Sequence, residues 1–93
     1  MTTIDVTERD DPGGALTVEV CDDDGSRTTH EVTVSDADWE RFGAGHASRA
    51  ALVEASFRFL LGREPKESIL RAFDLGVIER YFPDYRATIR LES

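Results

Sequence analysis

The chain has 93 residues, a formal net charge of −8 and an apolar fraction of 40%. That length fits one hydrophobic core, since domains commonly hold about 50–200 residues, and the apolar share excludes a disordered chain. The charge disfavours nucleic acid and anionic lipid as partners, because both need their phosphates neutralised; with Cys21 the one cysteine, no internal disulfide or cysteine-based zinc site can form.

The charge is unevenly divided. Residues 1–45 hold twelve acids and three arginines, a net −9, whereas residues 46–93 hold seven acids and eight bases, a net +1. Met1 to Val6 lacks the basic and apolar regions of a signal peptide. No apolar run reaches the ~18 residues of a membrane span, so a cytoplasmic location is expected.

Ile4 and Val6 alternate with Thr3, Asp5 and Thr7, a short strand that runs into the polar Glu8 to Gly14 turn. Ala15 to Cys21 sets Leu16, Val18 and Val20 against Thr17, Glu19 and Cys21, and Thr28 to Val34 sets His30, Val32 and Val34 against Thr29, Glu31 and Thr33. Between them lies an Asp-Gly step at Asp24-Gly25, the strongest short-range hairpin signal. A strand pair with one polar face needs a cover on the other.

Helices supply that cover. Ser35 predicts an N-cap for a helix that carries Trp39 and Phe42 inward and stops at Gly43. After the Gly43 to His46 joint, a longer helix from Ser48 to Leu61 presents Leu52, Ala55, Ser56, Phe59 and Leu60, widened by Val53, Phe57 and Leu61, with Gly62 ending it. Pro65 suits the first position of a further helix burying Ile69, Leu70 and Phe73. Asp74 then caps a last short helix with Leu75, Val77, Ile78 and Tyr81 facing in, stopped by Pro83. The tail, residues 86–93, alternates Ala87, Ile89 and Leu91 with polar residues, and reads as an edge strand or a frayed helical end. The expected fold is one α+β domain: an acidic hairpin region (1–34), a helical region (35–85) and the tail, with a small antiparallel sheet covered on one face by three or four helices.

Catalytic and metal constellations fare poorly. With Gly25 as sixth position of a calcium loop, Asp22, Asp24 and Glu31 fall at positions three, five and twelve. Position one is Val20, which offers no side-chain oxygen, and a solvated hairpin tip explains the turn without metal. His30 and His46 are the only histidines. A Cys21–His30 pair depends on register, and three aspartates following Cys21 would oppose a thiolate. No enzyme activity, cofactor or metal is expected.

Two binding readings remain. The aromatic residues outnumber what a small core readily hides, and Phe82-Pro83-Asp84-Tyr85 follows a helix. Phe82, Tyr85 and Arg71 are therefore the expected contacts for a protein partner or a second copy in a homodimer. The alternative is a DNA-binding regulator in which the helices flanking Gly62 form a helix-turn-helix and Arg58, Arg63, Lys66 and Arg71 touch phosphates. Glu64 and Glu67 at the head of the recognition helix oppose it.

The run Phe59-Leu60-Leu61-Gly62-Arg63-Glu64-Pro65-Lys66-Glu67-Ser68-Ile69-Leu70, continued by Phe73-Asp74-Leu75, Ile78 and Tyr81-Phe82-Pro83-Asp84-Tyr85, resembles a group of small uncharacterised prokaryotic proteins. The His30 to Val34 strand is similar too. The resemblance implies that hairpin and helices form one unit, and it implies no activity, cofactor or site residue.

Overall fold

In the computed structural model, which describes residues 2–8, 15–43 and 45–91, the hairpin forms as its alternation predicts. Strands β2 (Ala15–Cys21) and β3 (Arg27–Thr33) pair antiparallel, with Val18 opposite His30 and Cys21 opposite Arg27. Gly25 takes φ +85°, the left-handed region that favours glycine. Its N–H donates to the Asp22 carbonyl, and Asp24 Oδ1 accepts from the Ser26 N–H at 2.9 Å, an Asx-type turn. Strand β1 (Thr3–Glu8) pairs antiparallel with β2, Ile4 opposite Val20 and Val6 opposite Val18. The Glu8 to Gly14 turn expected between them lies, beyond Glu8, outside the described residues.

Two capped helices follow. Ser35 Oγ accepts from the Asp38 N–H at 3.1 Å to start α1 (Asp36–Phe42), and Ser48 Oγ accepts from the Ala51 N–H at 3.1 Å to start α2 (Arg49–Leu61). Gly43 and Gly62 end them as the sequence predicts, the Gly43 N–H donating to the Trp39 carbonyl. Phe42 and, from α2, Leu52, Val53, Phe57 and Leu60 join Leu16, Val18, Val20 and Val32 in one core. Trp39 is half-buried against it.

Beyond Gly62 the chain departs from the helix its sequence predicts. The helix expected to open at Pro65 is a single 3-10 turn, Lys66–Ser68, with Pro65 as its extended N-cap. Ile69 is already extended (φ −76°, ψ 133°), and the chain enters a three-residue strand, β4 (Ala72–Asp74), parallel to β3. The cause is the edge of β3. The Glu31 N–H donates to the Arg71 carbonyl at 2.7 Å and the Leu75 N–H to the Thr33 carbonyl at 3.0 Å. Those pairings satisfy a sheet edge that a helix would have left open. Leu70, expected inside, is therefore exposed, and Asp74 is a strand residue, not a cap.

The last helices are α3 (Val77–Tyr81) and α4 (Tyr85–Leu91). Gly76 precedes α3 without a side-chain cap, and Phe82 leaves helical geometry (φ −130°, ψ 89°), as a residue before proline must. Leu75 and Ile78 are buried as expected, whereas Tyr81 points outward. The tail is thus helical, and the extra strand beside the hairpin comes from 72–74. Tyr85 and Ile89, four residues apart, form the buried stripe of α4, which outweighs the period-two pattern of Ala87, Ile89 and Leu91. Among the described residues the result is a four-stranded mixed sheet, β1-β2-β3-β4, with helices on one face: an α+β domain. No helix among them is long and apolar enough to cross a membrane.

Candidate functional site

The pieces that failed to become helix build the site. His30, buried on β3, donates from Nδ1 to the Leu70 carbonyl at 2.8 Å, and its Nε2 accepts from the Thr28 hydroxyl at 2.7 Å. The carbonyl can only accept, which sets the tautomer. The ring also lies 5.2 Å from that of Phe57. One turn earlier Lys66, the one lysine, is 4% exposed and its Nζ reaches Asp22 Oδ2 and Glu67 Oε2, each at 2.5 Å. Hydrogen bonds from Lys66, then from Thr2, hold the Asp22 carboxyl below its ordinary range, and Lys66 does the same to Glu67. Asp22, followed by Glu67, in turn raises the Lys66 ammonium. The Asp-rich hairpin tip is thereby fastened to the segment that leads into β4.

Between that segment and α3 lies an apolar groove of about 290 Å³, lined chiefly by Leu60, Leu70, Phe73, Ile78, Tyr81 and Phe82. Leu70 is 49% and Tyr81 68% exposed, and these are the exposed large apolar side chains among the described residues. Phe73 reaches inward to Phe57 (6.1 Å between centroids) and forms the floor. Phe82 forms a wall, edge-on to Phe59 at 5.8 Å. The Arg63 guanidinium lies 4.3 Å over Phe59 and 5.6 Å over Phe82 and pairs with Asp84, which clamps that wall. A second depression, about 740 Å³, continues around β4 past Ala72, Asp74 and Arg80 and shares Leu70, Phe73 and Tyr81 with the first.

The expected contacts disperse. Phe82 does border the groove, half-buried. Tyr85 is no surface anchor: it is fully buried, 5.1 Å from Phe42 and 5.3 Å from Phe59, with its hydroxyl 2.6 Å from Ser56 Oγ. The turn at Pro83 starts α4 with Tyr85 on its inner face. Burial pushes its phenol well above the ordinary range. Arg71 is exposed but borders a different cleft, beside His30, Lys66 and Glu67. Leu70 and Tyr81, both expected to face inward, are surface residues; the alternation of Phe73, Asp74 and Leu75 is the signal that marks a strand and turns Leu70 outward.

The other singled-out residues have structural employment. Val18 opposes His30 and Arg27 opposes Cys21, with His30 on the core face and Cys21 on the outer one, so the Cys21–His30 pair does not form. The Cys21 thiol instead donates to Glu19 Oε1 at 3.6 Å; burial and then Glu19 push its pKa up, away from a reactive thiolate. Asp24 is held low by the Ser26 hydroxyl, at 2.6 Å, and N–H. His46 Nε2 donates to the Ile89 carbonyl at 3.1 Å, tying the glycine-rich joint to α4. Among the described residues no group of three or more His, Cys, Asp or Glu side chains could hold a metal ion. The helix-turn-helix geometry is absent at Gly62, because a 3-10 turn and a strand follow it. Of the four bases assigned to phosphates, Lys66 is buried, Arg58 pairs with Glu54 at 3.3 Å and Arg63 with Asp84.

Comparison with protein-family models, curated proteins and solved structures finds no match. The functional reading therefore rests on the groove itself.

Proposed function

We propose that this domain is a small protein-interaction module whose docking surface is the apolar groove beside β4. One observation carries the reading: Leu70 and Tyr81, the exposed large apolar side chains of the described residues, border the same groove. Isolated surface leucines need no explanation, but exposed apolar groups gathered around a concavity characterise binding surfaces. An aromatic side chain at the rim of a pocket is the usual anchor of such an interface. Val77 and the polar or charged Glu64 and Ser68 complete the lining.

The test uses the full chain as bait in lysate of the source cell, beside a Leu70→Ser/Tyr81→Ser double variant. A protein recovered by the wild type and lost with the variant supports the reading. Identical recovery by both overturns it.

A further inference from the structure

We infer that the partner docks as an added β-strand, pairing with the outer edge of β4, and that this strand alternates apolar with basic side chains. The inference rests on the interaction reading above and specifies how the groove is filled.

Backbone geometry comes first. In the parallel β3–β4 ladder the Arg71 carbonyl and the Leu75 N–H face β3, where they meet the Glu31 N–H and the Thr33 carbonyl. Hydrogen-bonding direction alternates along a strand, so the N–H and C=O groups of Ala72 and Asp74 face away from β3. β4 ends the sheet, and among the described residues no strand pairs with that outer side. Four backbone groups thus stand in a row between two depressions that share Leu70, Phe73 and Tyr81. An extended segment laid along them makes ladder hydrogen bonds and sends alternate side chains to opposite faces.

Side-chain chemistry then selects the occupant. Phe73 floors the apolar groove, so residues added on that face are apolar. Ala72 and Asp74 belong to the other face, with Arg80 nearby. Glu31 and Asp74 there and Glu64 in the groove set three carboxylates against one guanidinium, Arg80, in the two linings. That local excess of carboxylates favours a cationic strand and disfavours a second copy's β4 edge, which would bring the same carboxylates. The shortness of β4 and the charge at its edge also limit indiscriminate edge-to-edge pairing.

The experiment titrates the full chain with a fluorescein-labelled seven-residue peptide alternating lysine with valine. Its controls are a glutamate–valine peptide and the lysine–valine peptide N-methylated along one edge. Amide spectra accompany the titration. The lysine–valine peptide should bind and shift the Ala72 and Asp74 amides. The glutamate peptide should bind at least about tenfold more weakly at low salt, a gap that closes as salt screens it. N-methylation should cost at least about tenfold, because it removes ladder donors while leaving the protein untouched. Ala72→Pro, which removes one outward N–H and no charge, should cost as much, and the methylated peptide decides the matter if that variant fails to fold.

Equal binding of the methylated peptide, itself lost with Leu70→Ser/Tyr81→Ser, would overturn strand addition while leaving the groove reading intact. Equal binding of the glutamate peptide would overturn the basic assignment. A dimer through β4 that the lysine peptide fails to dissociate would make a second copy the occupant, and would also overturn the inference. So would no binding up to about 1 mM, roughly the weakest affinity a specific contact shows.

Discussion

The His30 imidazole donates from Nδ1 to the Leu70 carbonyl at 2.8 Å across forty residues of sequence. It joins the inner face of β3 to the segment that shapes the groove, and it does so from within the core, tilted against Phe57. The same ring accepts from Thr28, so both nitrogens are used.

His30→Leu should therefore loosen β4 more than the rest of the sheet. Losing a buried donor to a carbonyl costs about 1–3 kcal/mol. In native-state hydrogen exchange the amides of Glu31 and Leu75, which carry the β3–β4 pairing, should open faster. Amides of the β1–β2 pairing should change only with global stability. Uniform acceleration throughout would show that His30 is ordinary core packing.

The sequence was most legible where local signals and tertiary demands agree. The alternation around Asp24-Gly25, the Ser35 and Ser48 caps and the Gly43 and Gly62 stops all reappear in the structure. Legibility ended after Gly62. Pro65 and the spacing of Ile69, Leu70 and Phe73 fit a helix locally, yet the open edge of β3 claims residues 72–74 for a strand and leaves the chain before them a single 3-10 turn and an extended link, a non-local demand that no window of sequence displays. The expected contact surface shifts for the same reason. The groove's rim depends on Leu70 and Tyr81 facing outward, while Tyr85, one of the expected contacts, is drawn inward by Ser56 and by two aromatic rings.

The Lys66–Asp22–Glu67 cluster should give stability a defined pH window. Asp22 and Glu67 have ordinary values of 3.8 and 4.5 and lie lower in the folded chain, so their contribution is present above those values and is lost as pH falls through the lowered ones. Lys66 has an ordinary value of 10.5 and lies higher when folded, so its contribution is present below 10.5 and is lost as pH rises beyond it. The gap in Tm between wild type and Lys66→Met should be widest between about pH 5 and 10 and should narrow on both sides. A gap unchanged from pH 7 down to pH 3 would show that the ion cluster contributes nothing to folding.

Ser56 and Tyr85 should respond asymmetrically to losing their hydroxyls. Ser56 Oγ donates to the Leu52 carbonyl at 2.8 Å, which leaves the Tyr85 hydroxyl as donor to Ser56 at 2.6 Å. Tyr85→Phe removes that donor but Ser56 keeps its bond to Leu52, so the loss should be about 0.5–1.5 kcal/mol. Ser56→Ala strands a buried phenol without a partner and should cost about 1–3 kcal/mol. Urea denaturation of the two variants and the double variant separates these values. Equal losses would show that the Tyr85 hydroxyl finds another acceptor.

Surface and core apolar side chains should part company in stability and binding. Tyr81→Ser and Leu70→Ser change exposed side chains and should leave stability within about 0.5 kcal/mol of wild type. Tyr85→Ala empties a site fully enclosed by Phe42 and Phe59 and should cost about 3–5 kcal/mol, so any partner lost with it reports unfolding. Phe82→Ala falls between, because Phe82 is half-buried yet held by Phe59 and Arg63. Thermal melts run beside binding assays rank all four. If Tyr81→Ser destabilised the chain as much as Tyr85→Ala, Tyr81 would be a packing residue and the groove would lose its anchor.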